Sequence, residues 1–248
     1  MKVGVRSMRG VITGAGRGIG AALLMKMASE GHDVFAISRS ETEELSNIKS
    51  QFSDRVSVQI ADISDYVLMS EVLETAEGFG DFLVCNAGQR FRKDFLSISQ
   101  EEFSTLMNVN FLAQVNLIQN AIRNTIKHAS SCSIVGITSI VGPQGFSQLS
   151  NYAATKGALE ALIKSLAVEF APHNIRLNCV APGFVASSYA AQFQNDRPDL
   201  HQWTLGRTPL GRWGECSEIA DLCAFLVSAQ SSFITGETIF IDGGWSAA

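Results

Sequence analysis

Tyr152 and Lys156 stand four residues apart in the run Asn151-Tyr152-Ala153-Ala154-Thr155-Lys156, which reads as helix. Side chains at i and i+4 share a helix face, so a phenol and an ammonium meet one turn apart. An ammonium there favours the ionised phenol, and a tyrosine so poised can give or take a proton near neutral pH. By itself the pair is unspecific, since any helix with one wet edge could carry it. Two further groups raise its weight. Ser139 falls at the C-terminal end of a short apolar run, residues 132–138, that reads as a strand. Asn110 sits within a long helical stretch, residues 99–127.

A second constellation lies near the start of the chain. Gly14-Ala15-Gly16-Arg17-Gly18-Ile19-Gly20 separates an apolar run, residues 8–13, from a helical pattern at 21–28. Glycines let backbone amides approach a phosphate, and the new helix offers its N-terminus to the anion. The next predicted strand, residues 33–38, ends in Ser38 followed by Arg39. An acid at this place would bind the 2′-hydroxyl of an adenosine ribose and repel a 2′-phosphate. A small neutral residue followed by a guanidinium, with Arg17 close by, favours NADP(H) over NAD(H).

These groups need a frame, and the chain supplies one. Predicted strands at 8–13, 33–38, 56–60, 81–85, 132–138, 175–180 and 238–241 alternate with helical patterns at 21–28, 41–50, 64–77, 99–127, 152–171 and 215–228. Such alternation indicates an α/β fold: a doubly wound parallel sheet of about seven strands with helices on both faces, of the Rossmann type. Arg9 and Gly10 make the first strand a poor one. No linker divides the chain, so residues 1–248 read as one dinucleotide-binding and catalytic domain. Residues 184–208 read as irregular and aromatic (Tyr189, Phe193, Trp203), a pattern suited to a substrate loop. The helix carrying Tyr152 is apolar around most of its circumference, which predicts burial on more than one side and hence a homotetramer or homodimer.

Composition sets outer limits. Of 248 residues, 46% are hydrophobic and 17% charged, with a net charge of −5, which argues against a nucleic-acid partner. No apolar run reaches membrane-spanning length and the N-terminus lacks a signal-peptide core, so no membrane partner is expected and a cytoplasmic location is the default. Five scattered cysteines suit reduced thiols, and four dispersed histidines suggest no metal site.

Taken together these motifs resemble the classical short-chain dehydrogenase/reductase family, and the match spans nearly the whole chain. Thr13-Gly14-x-x-x-Gly18-x-Gly20 is similar to its cofactor loop and Asn86-Ala87-Gly88 to its motif after strand four. Asn110, Ser139, Tyr152 and Lys156 fall where its catalytic tetrad would fall, with Ser139 thirteen residues before Tyr152. Pro182-Gly183 and Asp242-Gly243-Gly244 are further likenesses, and the nearest flavour is the group of 3-oxoacyl-acyl-carrier-protein reductases and related ketone reductases.

The resemblance implies NADPH-dependent reduction of a small carbonyl compound. Ser139 would hold the carbonyl oxygen, Tyr152 would donate the proton, Lys156 would hold the nicotinamide ribose, and Asn110 would position a water. Cofactor contacts would come from Gly14, Gly16, Arg17, Gly18, Ile19, Gly20, Ser38, Arg39, Asp62, Ile63, Asn86, Ala87, Gly88, Tyr152, Lys156, Pro182, Gly183, Val185 and Ser187. Gln144 and Phe146 would join Ser139 and Tyr152 around the substrate. Cys85 and Ser187 depart from the family's usual Asn and Thr. Two rival readings stand beside this one: an NAD(H)-linked alcohol dehydrogenase working oxidatively, and a dinucleotide-binding regulator without chemistry. An acyl-carrier-protein substrate would call for basic residues at the site mouth, for which Arg90, Arg92, Lys93, Arg123 and Lys127 are candidates.

Overall fold

A computed structural model of the chain describes residues 6–75, 80–187 and 193–248. The sheet strands are β1 (Arg9–Thr13), β2 (Asp33–Ser38), β3 (Val56–Ile60), β4 (Phe82–Cys85), β5 (Cys132–Ile137), β6 (Ile175–Pro182) and β9 (Thr238–Ile241). They pair in parallel in the order β3-β2-β1-β4-β5-β6-β9, the doubly wound topology expected. The order reverses between β1 and β4, so a crevice opens beyond their C-terminal ends, where ligands of such sheets bind. Two short strands, β7 (Val185–Ala186) and β8 (Gly214–Glu215), pair apart from the sheet.

Alternating side chains sort the core into two layers. Ile12, Phe82 and Val84 face one way, under α1 (Gly18–Ser29), α2 (Glu43–Gln51) and α8 (Cys216–Val227). Val11, Leu83 and Cys85 face the other way, under α3 (Tyr66–Thr75), α5 (Ala113–Lys127) and α6 (Ser150–Phe170). All residues of β4 and β5 are buried, as central strands covered on both faces require. Each large aliphatic side chain so buried contributes roughly 1.5–3 kcal/mol.

The irregular start of β1 has a packing reason. A Cβ at Gly10 would lie 2.4 Å from the Phe82 ring on the neighbouring strand, so only glycine admits that ring. Helix starts follow their capping residues. Thr42 accepts the Leu45 N–H at the head of α2, and Ser99 and Glu102 form a reciprocal capping box on α4 (Gln100–Met107).

Two sequence expectations change. The stretch 99–127 is not one uniform helix: a π-helical turn, Asn108–Leu112, separates α4 from α5. Residues 184–208 are not irregular throughout, because α7 (Pro198–Arg207) occupies their second half, with proline at its first turn where the missing N–H costs nothing. Tyr189 and the end of the helix expected to reach residue 77 lie outside the described residues. On α6, Leu159, Ile163 and Ala167 are buried against the sheet while Val168 is 80% exposed. The apolar circumference seen in the sequence is thus only half covered within the chain.

Candidate active site

The phosphate-loop end is built from backbone contacts. Gly14 has φ +66°, and a Cβ there would approach Ala87 Cα to 2.8 Å. A Cβ on Gly20 would lie 2.1 Å from the Gly14 carbonyl oxygen, so α1 can seat on the loop only with glycine there. Gly20 is absent from the lining of the hollow and the cleft, and its close packing sets how α1 meets the loop. Thr13 and Asn86 tie the loop to the end of β4. Thr13 Oγ1 accepts the Asn86 and Ala87 N–H groups, while Asn86 Nδ2 donates to the Thr13 and Gly14 carbonyls, each at 3.1 Å. Gln114, buried on α5, donates to the Ala87 carbonyl at 2.8 Å.

Helix α1 begins after Arg17, which is extended and caps none of its N–H groups with its side chain. Those donors and the positive end of the helix dipole remain available for an anion. Arg17 and Arg39 are exposed at the rim of a hollow of about 230 Å³ that Gly14, Gly16, Ser38, Asp62, Ile63 and Ala87 also line. Asp62 is held below the usual carboxylate range, first by hydrogen bonds from Ser64, with Arg39 adding to the effect. Thr42 escaped the sequence reading: it lines the hollow and its hydroxyl donates to the Gly16 carbonyl. Its only local signal was the helix-capping position. A glycine loop, uncapped helix donors, two rim guanidiniums and no acid at the end of β2 fit the pyrophosphate and 2′-phosphate of NADP(H).

The hollow continues into a cleft of about 730 Å³ lined by Ser139, Tyr152 and Lys156. Gly18, Ile19, Gly88, Pro182, Gly183, Val185 and Ser187 line it too, as the motif comparison implied. Ser139 follows β5, is 9% exposed, and its hydroxyl oxygen accepts the Val141 N–H at 3.2 Å. Lys156 is 4% exposed; its ammonium donates to the Ile137 carbonyl at 2.6 Å and lies 5.7 Å from the centre of the Tyr152 ring. Cys85 packs in the apolar layer beside these groups, and burial pushes its thiol up to about 12, so it stays neutral and takes no part in proton transfer.

Asn110 sits on the π turn, fully buried. Its Oδ1 accepts the Gln89 N–H at 2.7 Å, and its Nδ2 donates to the Gln89 carbonyl at 2.8 Å and to Thr155 Oγ1 at 3.2 Å. Thr155 in turn donates to the Tyr152 carbonyl, so one hydrogen-bonded chain links the β4 loop, the π turn and the helix of Tyr152. A Cβ on Gly88 would lie 3.2 Å from Asn110 Oδ1 and 3.7 Å from Lys156 Nζ, which places both groups close to that glycine. The extra residue of a π turn re-aims one side chain, and such turns recur at functional sites.

The substrate expectations divide between this cleft and the chamber beside it, which Gln144 lines. Gln144 does not line the cleft; its Oε1 accepts the Trp245 indole N–H at 2.9 Å and its Nε2 donates to Ser246 at 2.7 Å. The C-terminal segment has taken its amide. Phe146 does line the cleft, joined by Leu149, Phe184, Phe193 and Trp213. Of the basic candidates, Arg90 and Arg92 line it, Lys93 pairs with Glu102 at 2.6 Å, and Arg123 and Lys127 lie on exposed positions of α5.

Comparison with known proteins agrees with this geometry. Residues 14–246 match the family model described as enoyl-(acyl carrier protein) reductase. The chain is 33% identical to an L-xylulose reductase of Mesocricetus auratus, over 99% of both proteins. It is 34% identical to a 3-oxoacyl-acyl-carrier-protein reductase of Thermotoga maritima, covering 94% of this chain and 96% of the relative. A gluconate 5-dehydrogenase of Burkholderia cenocepacia J2315, solved with NADP and tartrate, superposes with a TM-score of 0.89 at 31% identity, covering 97% of this chain and 95% of the other.

Proposed function

This chain belongs to the classical short-chain dehydrogenase/reductase family, and on that premise we propose that it reduces a ketone with NADPH, using Ser139, Tyr152, Lys156 and Asn110. The observation that carries the reading is the single cleft in which Ser139, Tyr152 and Lys156 meet, continuous with the glycine-loop hollow. NADPH, when bound, supplies the hydride that the carbonyl carbon receives. Ser139 holds the carbonyl oxygen as negative charge develops on it, and Tyr152 donates the proton to that oxygen. Lys156, anchored on Ile137, keeps its ammonium beside Tyr152 and reaches the ribose hydroxyls of the cofactor. Asn110 holds the Gln89 loop and, through its remaining Oδ1 lone pair, a water between itself and Lys156. Arg17 and Arg39 grip the 2′-phosphate. Two hydroxyls on the cleft wall suit an oxyanion at a C=O carbon, which favours carbonyl reduction over the enoyl reduction that the family description names.

The relatives act on sugars and on 3-oxoacyl thioesters, so the carbonyl substrate is a small molecule or a thioester. No described helix is long and apolar enough to cross a membrane. We place the protein in the cytoplasm, in keeping with five free cysteines. Exposed Val168 on α6, with Leu112 and Ile126 beside α5, supports a homotetramer or homodimer joined through these helices. Residues 184–208 act as the substrate loop. The test is a ketone screen read by NADPH absorbance, with NADH in parallel. Turnover with NADPH well above that with NADH is the expected result; no oxidation of NADPH with any ketone would reject the reading.

A further inference from the structure

Beyond the catalytic cleft lies a second chamber of about 390 Å³. Arg92, Phe146 and Phe184 line both spaces, so the two adjoin across these side chains. The far wall of the chamber is Arg197, Trp203, Arg207 and Trp245. The Arg207 guanidinium carbon lies 4.8 Å from the centre of the Trp245 ring and 5.9 Å from that of Trp203. Arg207 and Arg197 are exposed, and the aromatic faces attract the Arg207 guanidinium. Arg197 and Arg207 form no ion pair among the described residues, and the described lining of the chamber contains no carboxylate. The amide of Gln144 is already taken by Trp245 and Ser246, so the positive charge has no counterpart on that wall. Hydride and proton transfer need none of these groups.

We propose that this chamber is a subsite for an oxyanion at the far end of the substrate. The substrate is an oxo acid or oxo phosphate. Its carbonyl lies at Ser139 and Tyr152, its apolar middle passes Phe146 and Phe184, and its carboxylate or phosphate is gripped by Arg197 and Arg207. Arg and oxyanion match in geometry as well as charge, since two parallel N–H···O bonds can form. The proposal rests on the carbonyl-reductase reading for the placement of the carbonyl, but the anion grip can be measured without turnover.

The full-length protein is assayed with NADPH on 5-oxohexanoate, its methyl ester, and 4-oxopentylphosphonate. The expected result is a kcat/KM at least about tenfold higher for an anion than for the ester, carried by KM, as a charge-assisted bidentate contact provides. The ratio of acid to phosphonate identifies which oxyanion the chamber takes. Arg207→Met and Arg197→Met each lower the anion-to-ester ratio, and Arg207→Lys restores part of it.

Tryptophan fluorescence supplies the second readout. Trp203 and Trp245 form the chamber wall, so saturable quenching by the anions but not by the ester is expected, weakened about tenfold in Arg207→Met. Equal reduction of anion and ester, with no anion-specific quenching, would overturn the subsite and leave the carbonyl-reductase reading intact. Anion-specific quenching lost in Arg207→Met, with NADPH oxidised by no ketone of the wider screen, would reject the carbonyl-reductase reading and leave the anion subsite standing.

Discussion

The two ends of the cleft are built on different principles. At the glycine-loop end, recognition is a property of the backbone: uncapped N–H groups, glycines at close approach, and a threonine and an asparagine that staple the loop. At the aromatic end, the walls are side chains drawn from distant segments, among them Arg92, Phe146, Phe184, Arg197, Trp203, Arg207 and Trp245. Phosphate asks for donors at fixed places, which strand ends supply once small residues let the chain come close. A variable substrate asks for shape and charge, which distant segments supply without disturbing the sheet. The first end therefore tolerates almost no added atoms, whereas the second can be rebuilt.

The largest effect should come where the two ends meet. Tyr152→Phe removes the proposed proton donor and should lower kcat by about 10²–10⁴-fold while leaving NADPH affinity nearly unchanged. Stopped-flow reduction beside fluorescence titration of NADPH checks both halves, and a variant as active as the parent would refute the assigned role. Next comes the crowding of the loop. Gly20→Ala forces a methyl group against the Gly14 carbonyl and should cost roughly 1–3 kcal/mol in urea unfolding, with weakened NADPH binding. A change on the aromatic side, Phe146→Leu, should leave NADPH binding intact and move only substrate KM. If both variants behaved alike, the contrast between the two ends would fail.

A smaller effect is expected at the rim. Arg39→Ala should raise the KM for NADPH by about tenfold and leave NADH nearly unaffected, because only one of the two carries the 2′-phosphate. The smallest lies away from both ends. His32 is 3% exposed, its Nδ1 accepts the Met8 N–H, and burial holds its pKa below the usual imidazole value. The folded protein thus refuses a proton that the unfolded chain accepts. Stability from this group is fully present above about pH 6.5 and is lost as the pH falls from there toward the depressed folded value. Thermal unfolding from pH 8 to 5 should show a slope that His32→Asn flattens, with no change at either end of the cleft.

The cofactor half was readable in the sequence because its determinants are short-range. The glycine loop, Ser38 and Arg39, and the Tyr152–Lys156 spacing each act within one strand–turn–helix unit, and regular alternation places such units in one sheet. Reading failed where a side chain is claimed from elsewhere. The sequence did not show that the Gln144 amide is held by Trp245 and Ser246, near the C-terminus. The π turn at Asn108–Leu112 was invisible because its residues suit an α-helix, and only packing against Gln89 and Thr155 shows what the inserted turn does. Thr42 was missed because a capping residue looks the same whether or not it also holds a phosphate loop.

By itself, then, the sequence determined the doubly wound sheet, the use of NADP(H), and the order of the glycine loop and of the proposed catalytic groups. These follow from local periodicity, from glycine's freedom and from charge. Only the tertiary structure decided that Asn110 is held by Gln89 and Thr155, that Gly20 packs against the Gly14 carbonyl, and that Arg92, Arg197 and Arg207 share one aromatic-walled chamber. Those are contacts between segments far apart in the chain, and no local pattern encodes which of them the sheet will bring together.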